Sequence, residues 1–148
     1  MIFHLLHHVD DPVIPLLTAG YRHPEVLPYL SIDEANYWHY VTSTPHVQYY
    51  ALLRDGKLLG GLHCEWEGMT LYLALLILPE HQYQGVGTEA LQAVINGHID
   101  LPPFDCIEVD IDIQNTTSLR LFDKAGFCFV EQLDELCRYV WIKEKNTR

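Results

Sequence analysis

Positive charge is scarce in this sequence. Lys and Arg together number 9 against 20 Asp and Glu, which leaves a formal net charge of −11 over 148 residues. A surface that grips nucleic-acid phosphates needs a basic face, so a generic duplex-DNA binder is not expected, and no nucleic-acid partner is. An anionic membrane surface is a poor partner for the same reason. Long hydrophobic runs are missing as well. The longest spans Leu71 to Leu78, far short of the roughly 20 residues needed to cross a bilayer. The opening Met-Ile-Phe-His-Leu-Leu-His-His has no basic segment, and His4, His7 and His8 break its apolar run. It is not expected to be a signal peptide, and a cytoplasmic location is expected. The cysteines, Cys64, Cys106, Cys128 and Cys137, form no C-x-x-C pair and read as free thiols. His63 and His81 stand alone in the sequence, and no metal site is expected.

What is present is an ordinary folding inventory. Hydrophobic residues make up 49% and charged residues 20%, close to the average of globular domains, so disorder is excluded as the main state. The length suits a single domain over residues 1–148, long enough to bury a core without covalent staples. Residues 2–7 predict a short strand. Residues 11–29 predict a helix-and-turn region cut by four prolines. Ser31 followed by Glu34 forms a capping box and predicts a helix from there to about Val41. Val47–Arg54 and Lys57–Glu65 read as strands joined by Asp55-Gly56, a strong hairpin signal. Thr70–Leu78 reads as a strand buried on both faces. A helix is expected from Gly85 to about Ile99, with Val86, Ala90, Leu91, Val94 and Ile95 on its apolar side. In Asp105–Ile113, Ile107, Val109, Ile111 and Ile113 alternate with Glu108, Asp110 and Asp112, as a half-buried strand requires. Asn115 caps a short helix that stops at Gly126. Phe127–Glu131 and Cys137–Lys143 close the chain as strands. The order β-α-α-β-β-β-α-β-α-β-β predicts an α/β fold with a mixed sheet and helices on its faces.

Chemistry concentrates between Pro79 and Thr88, where Pro-Glu-His-Gln-Tyr-Gln-Gly-Val-Gly-Thr joins the apolar strand to the following helix. Gly85 and Gly87 let the backbone turn tightly with its N–H groups outward. The helix start adds orphan donors and the positive end of its dipole. Together they make an anion site suited to a pyrophosphate. A dinucleotide loop would need Ala90 to serve as its last glycine, and a Walker loop would need a lysine that is not there. A glycine-softened strand-to-helix turn is the plain alternative.

Gln82-Tyr-Gln-Gly85-Val-Gly87 resembles the Arg/Gln-x-x-Gly-x-Gly/Ala signature of the GNAT N-acetyltransferase superfamily. Asn115-Thr-Thr-Ser118-Leu-Arg-Leu121-Phe122-Asp-Lys124-Ala-Gly126-Phe127 resembles that family's later segment, Asn-x-x-Ala/Ser-x-x-aliphatic-Tyr-x-Lys-x-Gly-Phe. The resemblance is detailed over residues 46–131 and compatible with the helical first third. It implies a mixed, mostly antiparallel sheet of six to seven strands with helices on both faces, splayed between the fourth and fifth strands. It implies acyl transfer from acetyl-CoA to an amine. The pyrophosphate would lie on the backbone of Gln82, Tyr83, Gln84, Gly85, Val86, Gly87 and Thr88, and the pantetheine along Leu75, Leu76 and Ile77. Asn115 and Phe122, about two helical turns apart, would face the cofactor, and Lys124 would approach its phosphates.

Two positions depart from common family patterns. Phe122 replaces the tyrosine that often protonates the leaving thiolate. Leu71 stands near the place where some members carry a glutamate base. The thiolate would then leave without a dedicated acid, since its thiol has a pKa of only about 8–9. Asp110, five residues before Asn115, matches the spacing of a glutamate base in the ribosomal-protein alanine acetyltransferases and is the candidate base. Its alternative is a solvated acidic face shared with Glu108 and Asp112. That face, with Glu65 and Glu67 nearby, would suit a cationic acceptor. In the family the region of Asn36-Tyr37-Trp38-His39-Tyr40 shapes the acceptor pocket, while a helix packing its aromatic face on the sheet is the plain reading. The expected function is N-acetyl transfer to a small cationic amine or a protein N-terminus, by direct attack in a ternary complex. The rival is a non-catalytic acyl-CoA sensor. The choice between monomer and homodimer stays open.

Overall fold

The computed structural model describes residues 1–146. Residues 147 and 148, which end the expected 1–148 domain, lie outside the described residues. The chain forms β1 (Ile2–Leu5), α1 (Ile14–Arg22), α2 (Tyr37–Ser43), β2 (Val47–Arg54), β3 (Lys57–Glu67) and β4 (Thr70–Ile77). A 3₁₀ turn at Pro79–His81 leads to α3 (Val86–Ile95), β5 (Cys106–Asp112), α4 (Thr116–Lys124), β6 (Cys128–Leu133), β7 (Leu136–Ile142) and α5 (Lys143–Asn146). The strand order is β1-β2-β3-β4-β5-β7-β6. β4 and β5 pair in parallel, whereas β1–β2, β2–β3, β5–β7 and β6–β7 are antiparallel. The parallel ladder covers only Thr70–Tyr72 against Cys106–Glu108, although β4 runs on to Ile77 and β5 to Asp112. Among the described residues, no helix is long and apolar enough to cross a membrane.

The residues gather into two compact units. One holds Met1–Glu65 and Leu75–Val86, the other Trp66–Ala74 and the chain from Gly87 onward. In the first, Asp55 and Gly56 both take positive φ, 52° and 75°, the primed turn that matches the twist of a two-residue hairpin. Leu17, Trp38, Val41, Tyr49, Ala51 and Leu76 belong to its buried core. In the second, Ile107, Val109, Ile111, Phe127 and Trp141 are buried.

Four expectations need correction. The capping box does not form. Arg22 donates two bonds from Nε, at 3.0 and 2.9 Å, and one from Nη2 to the Glu34 carboxylate, so that side chain cannot reach back to Ser31. α2 starts at Tyr37, with Asn36 as its N-cap residue. β4 is not buried on both faces: Leu71 and Leu73 are buried while Tyr72 is 40% exposed. α3 ends at Ile95 rather than Ile99, because Gly97 turns left-handed (φ 72°) and the N–H of His98 donates to the Ala93 carbonyl at 2.8 Å. Ile113 leaves the β5 alternation and is 41% exposed. The Asp112 carboxylate accepts the Gln114 N–H at 2.8 Å, which turns the chain out of the strand.

Candidate active site

The loop between β4 and α3 is built for close backbone approach. Tyr83 and Gly85 both lie in the left-handed region, at φ 62° and 79°. Left-handed residues alternating with ordinary ones turn successive N–H groups toward one side. The Gln82 N–H donates to the Pro79 carbonyl at 3.3 Å, and Gln84 Nε2 donates to the Glu80 carbonyl at 3.3 Å. Tyr83, Gln84, Gly85 and Thr88 are exposed, while Val86 and Gly87 are buried at the start of α3. Gly87 serves packing rather than turning. A Cβ there would meet Leu121 Cδ2 of α4 at 2.7 Å. No lysine or arginine occurs between Pro79 and Thr88, so no such cation within the loop meets an anion there.

On β4, Leu76 is buried while Leu75 and Ile77 are half-buried. Their segment is tightly backed by β3, since a Cβ on Gly60 would lie 1.9 Å from the Leu76 carbonyl oxygen. Leu71 is 1% exposed and offers no ionisable group.

On α4, Asn115 caps the helix by accepting the Ser118 N–H at 3.3 Å. Phe122 is 4% exposed and meets Phe127 edge-on, ring centres 5.1 Å apart. Lys124 is exposed on the last turn. Asn115 and Phe122 therefore share one short helix as the spacing requires, but each has a structural partner of its own.

Asp110 is exposed on β5, and its partner is Arg138 of β7. Arg138 Nε lies 3.1 Å from Asp110 Oδ1 and 3.0 Å from Glu108 Oε1, and its Nη1 donates to Glu131 Oε1 at 3.0 Å. One guanidinium thus gathers Glu108 and Asp110 of the acidic face together with Glu131. Hydrogen bonding to Asp110 and the surrounding carboxylates hold Arg138 firmly protonated.

A second polar arrangement was not read from the sequence. Tyr37 Oη lies 2.6 Å from His63 Nδ1, and His63 Nε2 lies 2.8 Å from Glu65 Oε1. Tyr40 Oη donates to the same oxygen at 2.7 Å. Tyr37 and Tyr40 are three apart on α2, and His63 and Glu65 two apart on β3, spacings that share a face of a helix and of a strand. That periodicity was the available signal. Behind them, Tyr21 and Tyr49 join hydroxyls at 2.8 Å. Burial pushes the Tyr21 hydroxyl up to about 12 and that of Tyr37 higher still.

A family model described as acetyltransferase (GNAT) family matches residues 13–127. No curated protein matches the chain in sequence. Among solved structures, the chain resembles the spermidine N-acetyltransferase of Vibrio cholerae in complex with CoA and spermine. Identity is 14%, coverage 99% of this chain and 98% of that one, and the TM-score 0.79. It also resembles aminoglycoside acetyltransferase AAC(6')-Ib in complex with CoA and kanamycin, at 16% identity, 99% and 100% coverage and a TM-score of 0.77. A third is the Campylobacter jejuni N-acetyltransferase PseH in complex with acetyl-CoA, at 10% identity, 96% and 98% coverage and a TM-score of 0.75. At such identities the likeness concerns the fold.

Proposed function

Because the chain belongs to the GNAT acetyltransferase family, we propose that it transfers an acetyl group from acetyl-CoA to a primary amine, either a small cationic amine or a protein N-terminus. The observation that carries this reading is the left-handed turn at Tyr83 and Gly85 directly before α3. Its fit to a pyrophosphate is chemical. The first four N–H groups of a helix have no partner within it, and the dipole favours an anion there.

In this proposal Gln82 to Thr88 hold the pyrophosphate, Leu75 to Ile77 hold the pantetheine through main-chain groups, and Asn115, Phe122 and Lys124 complete the cofactor side. The amine lone pair attacks the thioester carbonyl carbon in a ternary complex, and main-chain N–H groups of β4 stabilise the oxyanion. The C–S bond then breaks and the thiolate leaves with no side-chain acid, as the ring of Phe122 requires. Asp110 takes the amine's proton through water. The single-domain reading of 1–148 and a cytoplasmic location belong to the same proposal, and sedimentation decides between monomer and homodimer.

Buried Leu71 and hydroxyl-free Phe122 favour a second reading, a module that binds acyl-CoA without turnover. Initial rates with both substrates varied separate the two. Intersecting double-reciprocal lines are expected for the transferase. Acetyl-CoA that raises the melting temperature in the absence of any turnover supports the sensor.

A further inference from the structure

Glu34 is paired with Arg22, and Glu108, Asp110 and Glu131 with Arg138. Glu65 is held differently. Its Oε1 accepts from the Tyr40 hydroxyl at 2.7 Å and meets His63 Nε2 at 2.8 Å, and its Oε2 takes neither bond. The Tyr40 hydroxyl and the His63 ring, itself 2.6 Å from Tyr37 Oη, fix the orientation of the carboxylate. The rings of Tyr40 and His63 stack at 20° with centres 6.4 Å apart. Tyr40 is 39% exposed, and the Glu65 side chain is 37% exposed against 15% for His63. An oriented carboxylate beside a partly exposed tyrosine combines the two features that attract alkylammonium ions.

We propose that Glu65, flanked by Tyr40 and His63, is a binding subsite for an alkylammonium group, and that the chain's acceptors carry a second cationic amine that docks there. The proposal rests on the reading of the chain as an amine acetyltransferase and narrows its acceptors to diamines and larger polycations. Glu65 touches the bound cation; His63 and Tyr40 position Glu65, and Tyr37 positions His63. No bond forms or breaks at this subsite.

The test compares 1,4-diaminobutane with 1-aminobutane on the full chain with CoA bound, by titration calorimetry. The wild type should bind the diamine at least tenfold more tightly. Glu65→Gln keeps an oxygen for both accepted bonds and so preserves the local fold, which its melting temperature checks. It should bring the two amines to within twofold of each other, through weaker diamine binding alone. Tyr40→Phe keeps the ring and removes one positioning bond, and should weaken diamine binding by a smaller factor. Equal binding of both amines by the wild type, or an undiminished diamine preference in Glu65→Gln, overturns the subsite. Turnover is read separately. With active enzyme, Glu65→Gln should raise KM for the diamine at least tenfold with kcat within twofold. Intact diamine preference without turnover overturns the transferase reading and leaves the subsite standing.

Discussion

Arg138 Nε stands 3.1 Å from Asp110 Oδ1 across the β5–β7 pair, in direct register with it. The same guanidinium holds Glu108 and Glu131, so the proposed base also belongs to a structural cluster. The two roles separate by substitution. Asp110→Asn should lower kcat/KM by about 10²–10⁴-fold, the range of general bases. Its melting temperature should hardly move, because Arg138 keeps its other partners. Arg138→Gln should lower the melting temperature, since three carboxylates then face one another without their cation. Unchanged kcat/KM in Asp110→Asn across pH would leave Asp110 a structural residue only.

Gly60 presses on Leu76, whose carbonyl oxygen would sit 1.9 Å from any Cβ added at position 60. Main chain cannot step aside as a side-chain tip can. Gly60→Ala should destabilise the protein by about 3 kcal/mol, read as a shifted urea midpoint. A loss under about 1 kcal/mol would mean that β3 and β4 separate easily there.

Gly85 sits at φ 79°. A β-branched residue in this conformation costs about 1–2 kcal/mol, and the loop would rearrange to avoid it. Gly85→Val should therefore weaken acetyl-CoA binding at least tenfold while the rest of the fold persists. Calorimetric titration with acetyl-CoA gives the answer, and an unchanged Kd would remove the loop from the cofactor site.

His4 Nε2 and Asp11 Oδ2 lie 2.6 Å apart and tie β1 to the turn before α1. Burial alone would raise the Asp11 carboxyl, but the Val13 N–H and the His4 imidazole outweigh it and hold it below the ordinary carboxylate range. A depressed carboxylate contributes stability above its unfolded pKa, and that stability is lost as pH falls through the folded value. Wild type should lose stability on acidification in that window. Asp11→Asn should start lower at neutral pH, by about 1–2 kcal/mol, and lose less on the way down. Parallel stability curves for the two proteins would show that the pair carries no linkage.

Local signals with a strong physical cause were legible in the sequence. Asp55-Gly56 formed its hairpin, Asn115 capped α4, and the Ile107–Val109–Ile111 alternation placed β5 with one face buried. Two expectations failed for reasons that lie outside the local sequence. Ser31 and Glu34 make a sound capping box until Arg22 claims the carboxylate. β4 is apolar throughout, yet Tyr72 is exposed, which composition alone cannot reveal. For the candidate site, the turn at Gly85 was readable because its signal is contiguous. The Tyr37–His63–Glu65 contacts join residues 26 positions apart, and only the fold brings α2 onto β3. Arg138 escaped for the same reason, lying 28 residues from Asp110.

The most direct test of the central claim is CoA release from acetyl-CoA across a panel of amines. The panel holds diamines, polyamines, aminoglycosides, amino acids and short peptides with free N-termini, against a blank without acceptor. The account predicts release above the blank with at least one cationic amine class. No release with any acceptor, together with no thermal stabilisation by acetyl-CoA, would contradict it and reduce the Gln82–Thr88 loop to a glycine-softened turn.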